Sequence, residues 1–112
     1  MKTANTYPIL KESLIFTADV IKYSEILEKE NKKPIALKLM QSGININSFL
    51  FQAQSAWRDE DLKSKLLKAK ISIEEVIYWL KQSQKSNYIN VDNNLIEKAE
   101  KLAKEINSKL SE

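Results

Sequence analysis

Cysteine and histidine are both absent from this 112-residue chain. Without cysteine there can be no disulfide, thiolate nucleophile or thiolate metal site. Without histidine the Ser-His and Cys-His catalytic pairs are excluded, along with the commonest zinc and iron ligand. Glycine occurs once, at Gly43, and proline twice, at Pro8 and Pro34. No glycine-rich loop is available to cradle a phosphate. Scarce breakers beside abundant Leu, Ile, Lys and Glu are the composition of an all-helical chain. The length suits one domain, residues 1–112, with a core of its own.

Charge is missing locally too. Residues 39–57, LMQSGININSFLFQAQSAW, carry no charged side chain, although 29% of the whole chain is charged. A helix on the surface of a lone bundle shows a polar face, usually charged. Such a stretch is therefore expected to be walled in by protein on more than one side. It is not a membrane span, which needs roughly 20 predominantly apolar residues; Gln41, Asn45, Asn47, Ser48, Gln52 and Gln54 interrupt it. The opening MKTANTYPIL lacks the apolar stretch of a secretion signal, so a cytoplasmic protein is expected. The net charge of +3 is unevenly spread. Residues 32–85 hold ten basic against five acidic side chains; the segments before and after each hold four against five.

The periodicity predicts helices over about 7–30, 34–57, 59–85 and 92–111. Pro8 and Pro34 suit first helical turns. Helix one carries a stripe of Leu10, Leu14, Thr17, Ile21 and Ser24 beside a second of Ile9, Phe16, Val20, Tyr23 and Leu27. The seam of helix two is Leu39, Gly43, Ile46, Leu50, Ala53 and Trp57, alternating four and three as in a left-handed bundle. Gly43 there costs about 1 kcal/mol against alanine, a cost that close helix approach would justify. Helix three uses Leu62, Leu66, Ala69, Ile73, Val76 and Leu80 after an Asp59 N-cap. Asp92 is expected to cap helix four, with Tyr88 and Ile89 tucking back from the preceding loop. Short connections between four helices make an antiparallel up-down-up-down four-helix bundle.

Two helices carry a second apolar face. Leu37, Met40, Ile44 and Phe51 lie roughly 100–160° around helix two from Leu39, at about 100° per residue. Leu67, Ile71 and Tyr78 repeat this on helix three. One bundle cannot bury both faces of two helices. Seven side chains of this size form a patch of several hundred Å², more than a monomer usually exposes. They are the expected self-association surface of a homo-oligomer.

The blocks Ser42-Gly43-x-x-Ile46, Ala53-Gln54-x-Ala56, Asp61-Leu62 and Glu75-x-x-Tyr78-Trp79-Leu80 resemble a known family. It is the four-helix-bundle family related to proteins encoded in intervening sequences of bacterial 23S ribosomal RNA genes, in its Bacteroidetes-type form. The resemblance covers nearly the whole chain. It implies a bundle that assembles as a homopentameric barrel. The similar accessory variability protein of diversity-generating retroelements implies a nucleic acid and a reverse transcriptase as partners. The sequence departs from the family where many members have an Asn-x-x-Glu pair in helix two; here Phe49 and Gln52 stand. The basic motif near the second junction is reduced to Arg58 followed by three acids.

Three function classes compete. Lys63, Lys70, Lys81 and Lys85 fall within about 60° of one another on helix three and are the candidate nucleic-acid contacts. Glu74 shares their face, and no stacking-platform pattern accompanies them. A protein-interaction scaffold is the alternative, with Trp57, Trp79 and Tyr88 as aromatic anchors. Catalysis has no visible acid–base or nucleophile constellation, so no enzyme activity, cofactor, metal or small-molecule substrate is expected. The expected partners are further copies of the chain and a nucleic acid or nucleoprotein.

Overall fold

The structure, a computed structural model, describes residues 6–85 and 93–112. They form four helices: α1 (Tyr7–Lys29), α2 (Lys33–Gln54), α3 (Asp59–Lys85) and α4 (Asn93–Leu110). Each helix packs against two neighbours, in the cycle α1–α2–α3–α4–α1. The result is an all-α, up-down-up-down rod of 48 × 19 × 18 Å.

Local chemistry sets the turns. Asn31 is left-handed, with φ 63°. Its amide donates to Glu28 O at 3.1 Å, and the Lys32 amide to Leu27 O at 2.8 Å. This pairing closes the end of α1 and reverses the chain; asparagine adopts the left-handed region more readily than most residues. Pro34 then sits in the first turn of α2, where a missing N–H leaves nothing unpaired.

The far end of α2 departs from expectation. The helix stops at Gln54, and Ser55 turns its hydroxyl back onto Phe51 O at 3.2 Å. Trp57 therefore leaves the seam. It lies in the α2–α3 corner and is 90% exposed. Periodicity extended the stripe past the point where the backbone had already turned. The carbonyl of Arg58 accepts the Leu62 amide, so Asp59 falls inside the first turn of α3 instead of capping it. Asp59, Glu60 and Asp61 complement the positive end of the helix dipole. Arg58 reaches Glu60 at 3.2 Å and Asp61 at 3.5 Å; such exposed pairs contribute little. Asp92, Tyr88 and Ile89 lie outside the described residues.

The remaining seam residues of α2 and those of α3 are buried. In α1 the stripe of Ile9, Phe16, Val20, Tyr23 and Leu27 is the core face. The other α1 stripe splits: Leu10, Thr17 and Ser24 are buried, Ile21 is half-buried and Leu14 is exposed. The small hydroxyl residues let α1 and α2 approach while their polar atoms stay paired. Thr17 Oγ1 donates to Gly43 O at 3.2 Å and Ser13 Oγ to Leu10 O at 2.9 Å. The Asn47 amide bridges the two hydroxyls, 2.8 Å from Ser13 and 3.2 Å from Thr17. The amide oxygen of Asn47 accepts from both hydroxyls, which share their hydrogens between it and the backbone carbonyls. A Cβ on Gly43 would meet Thr17 Cγ2 and Val20 Cγ1 at 3.5 Å, ordinary contact. Close approach thus does not require glycine here.

Candidate self-association surface

Of the seven residues expected to face outward, Leu37, Ile44, Phe51, Leu67, Ile71 and Tyr78 are exposed. Met40 is half-buried. They form two separate stripes. Hydrogen bonds to Ser13 and Thr17 mark Asn47 as the α1-facing flank of α2. Phe49, under the Lys68 ammonium at 5.8 Å, marks the α3-facing flank. At about 100° per residue, Ile44 and Phe51 lie next to the Asn47 flank. An open groove there is lined by Leu10 and Leu14 of α1 with Ile44, Asn47, Ser48 and Phe51 of α2. A second depression, lined by Leu37, Met40, Gln41, Ile44 and Asn45, continues it along α2.

Leu14, assigned to the core by its spacing, thus belongs to the outer face. Two adjacent stripes covered half of α1, and spacing alone does not say which edge a neighbouring helix covers. Ile15 is exposed as well, on another side of α1.

On α3, Lys68 marks the flank toward α2, and Lys81, 3.7 Å from Glu100, the flank toward α4. Leu67, Ile71 and Tyr78 fall between the two flanks at helical spacing, so they point straight outward. Tyr78 is braced by the edge of Trp79, with ring centroids 5.0 Å apart. Trp79 itself is half-buried against the core. A polar band separates the stripes: Gln41, Asn45, Ser48 and Gln52 of α2, then Lys68 and Glu75 of α3.

Lys63, Lys81 and Lys85 are exposed and Lys70 is half-buried. Lys63, Lys70 and Lys81 make a row on the α4-facing side of α3, and Lys85 shares the outward bearing of Leu67. The charge of Lys81 is already countered by Glu100, and Glu74 lies within the row. Phe49 and Gln52 part company in space. Phe49 packs partly buried against the core, while the Gln52 amide donates to Ser48 Oγ at 3.1 Å.

Two ionisable groups are perturbed. Burial raises the Tyr23 phenol above its ordinary value, partly offset by a 2.7 Å hydrogen bond with Ser83 that ties α1 to α3. Glu105 is also raised. The causes are burial, then a hydrogen bond to Glu12 and repulsion from its charge, opposed by Lys101. Glu105 Oε1 is buried without a hydrogen-bond partner. Nothing in the sequence marks this pair, because the two residues stand on helices far apart in the chain.

No helix among the described residues is long and apolar enough to cross a membrane. No family model matches the sequence, and no curated protein does. Among solved structures, the chain is similar to a protein of unknown function from the S23 ribosomal protein family of Bacteroides thetaiotaomicron. The TM-score is 0.87 at 21% identity, over 93% of this chain and 99% of that one. The resemblance carried by the 42–62 and 75–80 blocks is thus met by a shared fold: this chain folds as that Bacteroides member of the S23 ribosomal protein family does.

Proposed function

We propose that the protein is a non-enzymatic helical module that works as a homo-oligomer, presenting an assembled surface to a partner. The observation that carries this reading is the pair of apolar stripes left open on α2 and α3. Leu14 widens the α2 stripe, and apolar side chains repeated at helical spacing on an outer face mark an interaction surface. The α2 stripe also lies in the uncharged segment, and depletion of charge marks the centre of protein–protein interfaces. Five subunits is the number that the family resemblance implies. Sedimentation equilibrium at micromolar concentration tests the reading. A mass several times 13.0 kDa is expected, and a monomer at every concentration would overturn it.

A second reading is non-specific phosphate binding by the row Lys63, Lys70 and Lys81 together with Lys85. Exposed Lys63 and Lys85 and the net charge of +3 favour it; the Glu100 pair and Glu74 work against it. Repetition around an oligomer would strengthen the field. Mobility shift of duplex DNA or RNA at about 50 mM salt, lost on raising the salt, is the expected signature. Absence of any shift with tens of micromolar protein rejects it.

A further inference from the structure

The side of the bundle opposite the α2–α3 pair has a feature of its own. A crevice of about 310 Å³ opens between α1 and α4, lined by Asp19, Lys22, Tyr23, Ile26, Leu95 and Lys98. It shares no residue with the outward stripes of α2 and α3. Its base is apolar: Tyr23 and Leu95 are buried there, and Ile26 beside them is 49% exposed. The Tyr23 hydroxyl is occupied by Ser83 at 2.7 Å, so the ring offers the crevice carbon rather than a polar atom. Its rim is charged. Exposed Lys22 comes from α1 and exposed Lys98 from α4. Asp19 holds Lys98 at 3.5 Å. Lys22 has no ion-pair partner among the described residues. Two ammonium groups against one carboxylate leave the lining with one positive charge in surplus.

We propose that this crevice binds a small amphipathic monocarboxylate, its hydrocarbon body on Tyr23, Ile26 and Leu95 and its carboxylate held by the Lys22 and Lys98 ammonium groups. An apolar base under a cationic rim is complementary to a molecule that is apolar at one end and anionic at the other. Other ligand classes fit the same lining worse. A wholly apolar molecule strips water from the lysines and gives nothing back. A cationic amphiphile meets like charge. A small inorganic anion leaves the apolar base wet. A single negative charge matches the single surplus positive one, and the volume lies at the lower end of the roughly 300–1,000 Å³ of ligand pockets. The lysine stems add apolar wall above the base while their charged ends stay at the mouth. The inference is independent of self-association, since the crevice is built within one subunit.

Octanoate below its micellar concentration is the probe, titrated into the isotope-labelled full chain and followed by NMR. Saturable shifts are expected at Tyr23, Ile26 and Leu95, with a Kd on the order of 1 mM. Acetate, which lacks the hydrocarbon body, and octylammonium, which carries the opposite charge, are expected to leave these signals unmoved at the same concentration. Lys22→Glu and Lys98→Glu should each weaken octanoate binding about tenfold or more, as loss of a charge-assisted hydrogen bond does. Lys104→Glu, an equal change in net charge at an exposed site on α4, should leave it unchanged. Asp19→Asn removes the competing carboxylate and should tighten binding several-fold. Circular dichroism checks that each variant keeps its helices. Non-saturating shifts, an equal response to octylammonium, or binding that survives charge reversal at Lys22 and Lys98 would overturn the proposal.

Discussion

Replacing Gly43 by alanine is expected to stabilise the protein. Gly43 is buried in the middle of α2 and its backbone is ordinary helix, with no positive φ. Glycine in a helix interior costs about 1 kcal/mol relative to alanine. That gain survives only if the methyl group has room. Its nearest neighbours would be Thr17 Cγ2 and Val20 Cγ1, both at 3.5 Å, with Thr17 Oγ1 at 3.9 Å. These are van der Waals contacts, so the methyl adds packing without forcing α1 away. The Thr17 bond to Gly43 O uses the backbone carbonyl and is retained. The expected gain is therefore about 1 kcal/mol. Unfolding entropy for a chain of this length is about 0.24 kcal/mol/K, so Tm should rise by about 4 °C. Thermal and urea denaturation should be compared at one protein concentration, because self-association makes Tm concentration-dependent. A loss of about 1 kcal/mol or more would refute the reasoning: α1 and α2 would then approach so closely that only glycine fits.

Two further outcomes follow from buried polar groups. Glu105 binds its proton more tightly in the folded state than its ordinary value near 4.5. Its favourable contribution is thus full below that value and is lost as pH rises through the raised one. Glu105→Gln, which mimics the protonated form, should stabilise the protein at pH 7 by a few tenths of a kcal/mol, the order of a like-charge contact between helical neighbours. Urea midpoints measured from pH 3 to pH 8 should show the gain vanishing in acid; a gain independent of pH would contradict the Glu12–Glu105 repulsion. Asn47→Ala should cost about 1–2 kcal/mol in urea titration, because two hydroxyls lose a hydrogen-bond acceptor at a part-buried junction. An unchanged midpoint would mean that Ser13 and Thr17 are satisfied by their carbonyl partners alone.

Much of the architecture was legible in the chain because a bundle is written in repeats. Leu62 to Leu80 on α3 and Leu39 to Ala53 on α2 keep one spacing, and all of these seam positions are buried. Legibility failed where a repeat says nothing about what lies beside it. Trp57 continued the α2 spacing numerically, but a helix ends where its backbone finds other partners, and Ser55 and Arg58 provide them. Leu14 kept step with Leu10 and Thr17, yet α2 reaches only the inner edge of that stripe. The buried Ser13 hydroxyl was silent in hydropathy, although it seats the α1–α2 contact through Asn47. The outward stripes were readable for a reason opposite to the usual one: they are apolar where a solvated helix has no reason to be. Their division into a groove and a ridge needed the neighbouring helices, since concavity belongs to a pair of helices and not to a segment.

The hydrogen bond from Thr6 to Gln54, 2.6 Å long, places the start of α1 beside the end of α2. Lys98 meets Asp19 and Lys101 meets Glu12, so α4 runs back toward that same end and finishes there at Leu110. Trp57 sits at this tip; the Asn31 turn is at the other. The rod is therefore polar in the sense that a magnet is. In a closed ring of such rods standing parallel to its axis, every copy would send its first and last helical residues and its exposed indole to one rim. The assembly would have two unlike poles. Anything joined to either chain end would crowd onto the Trp57 pole and leave the Asn31 pole bare.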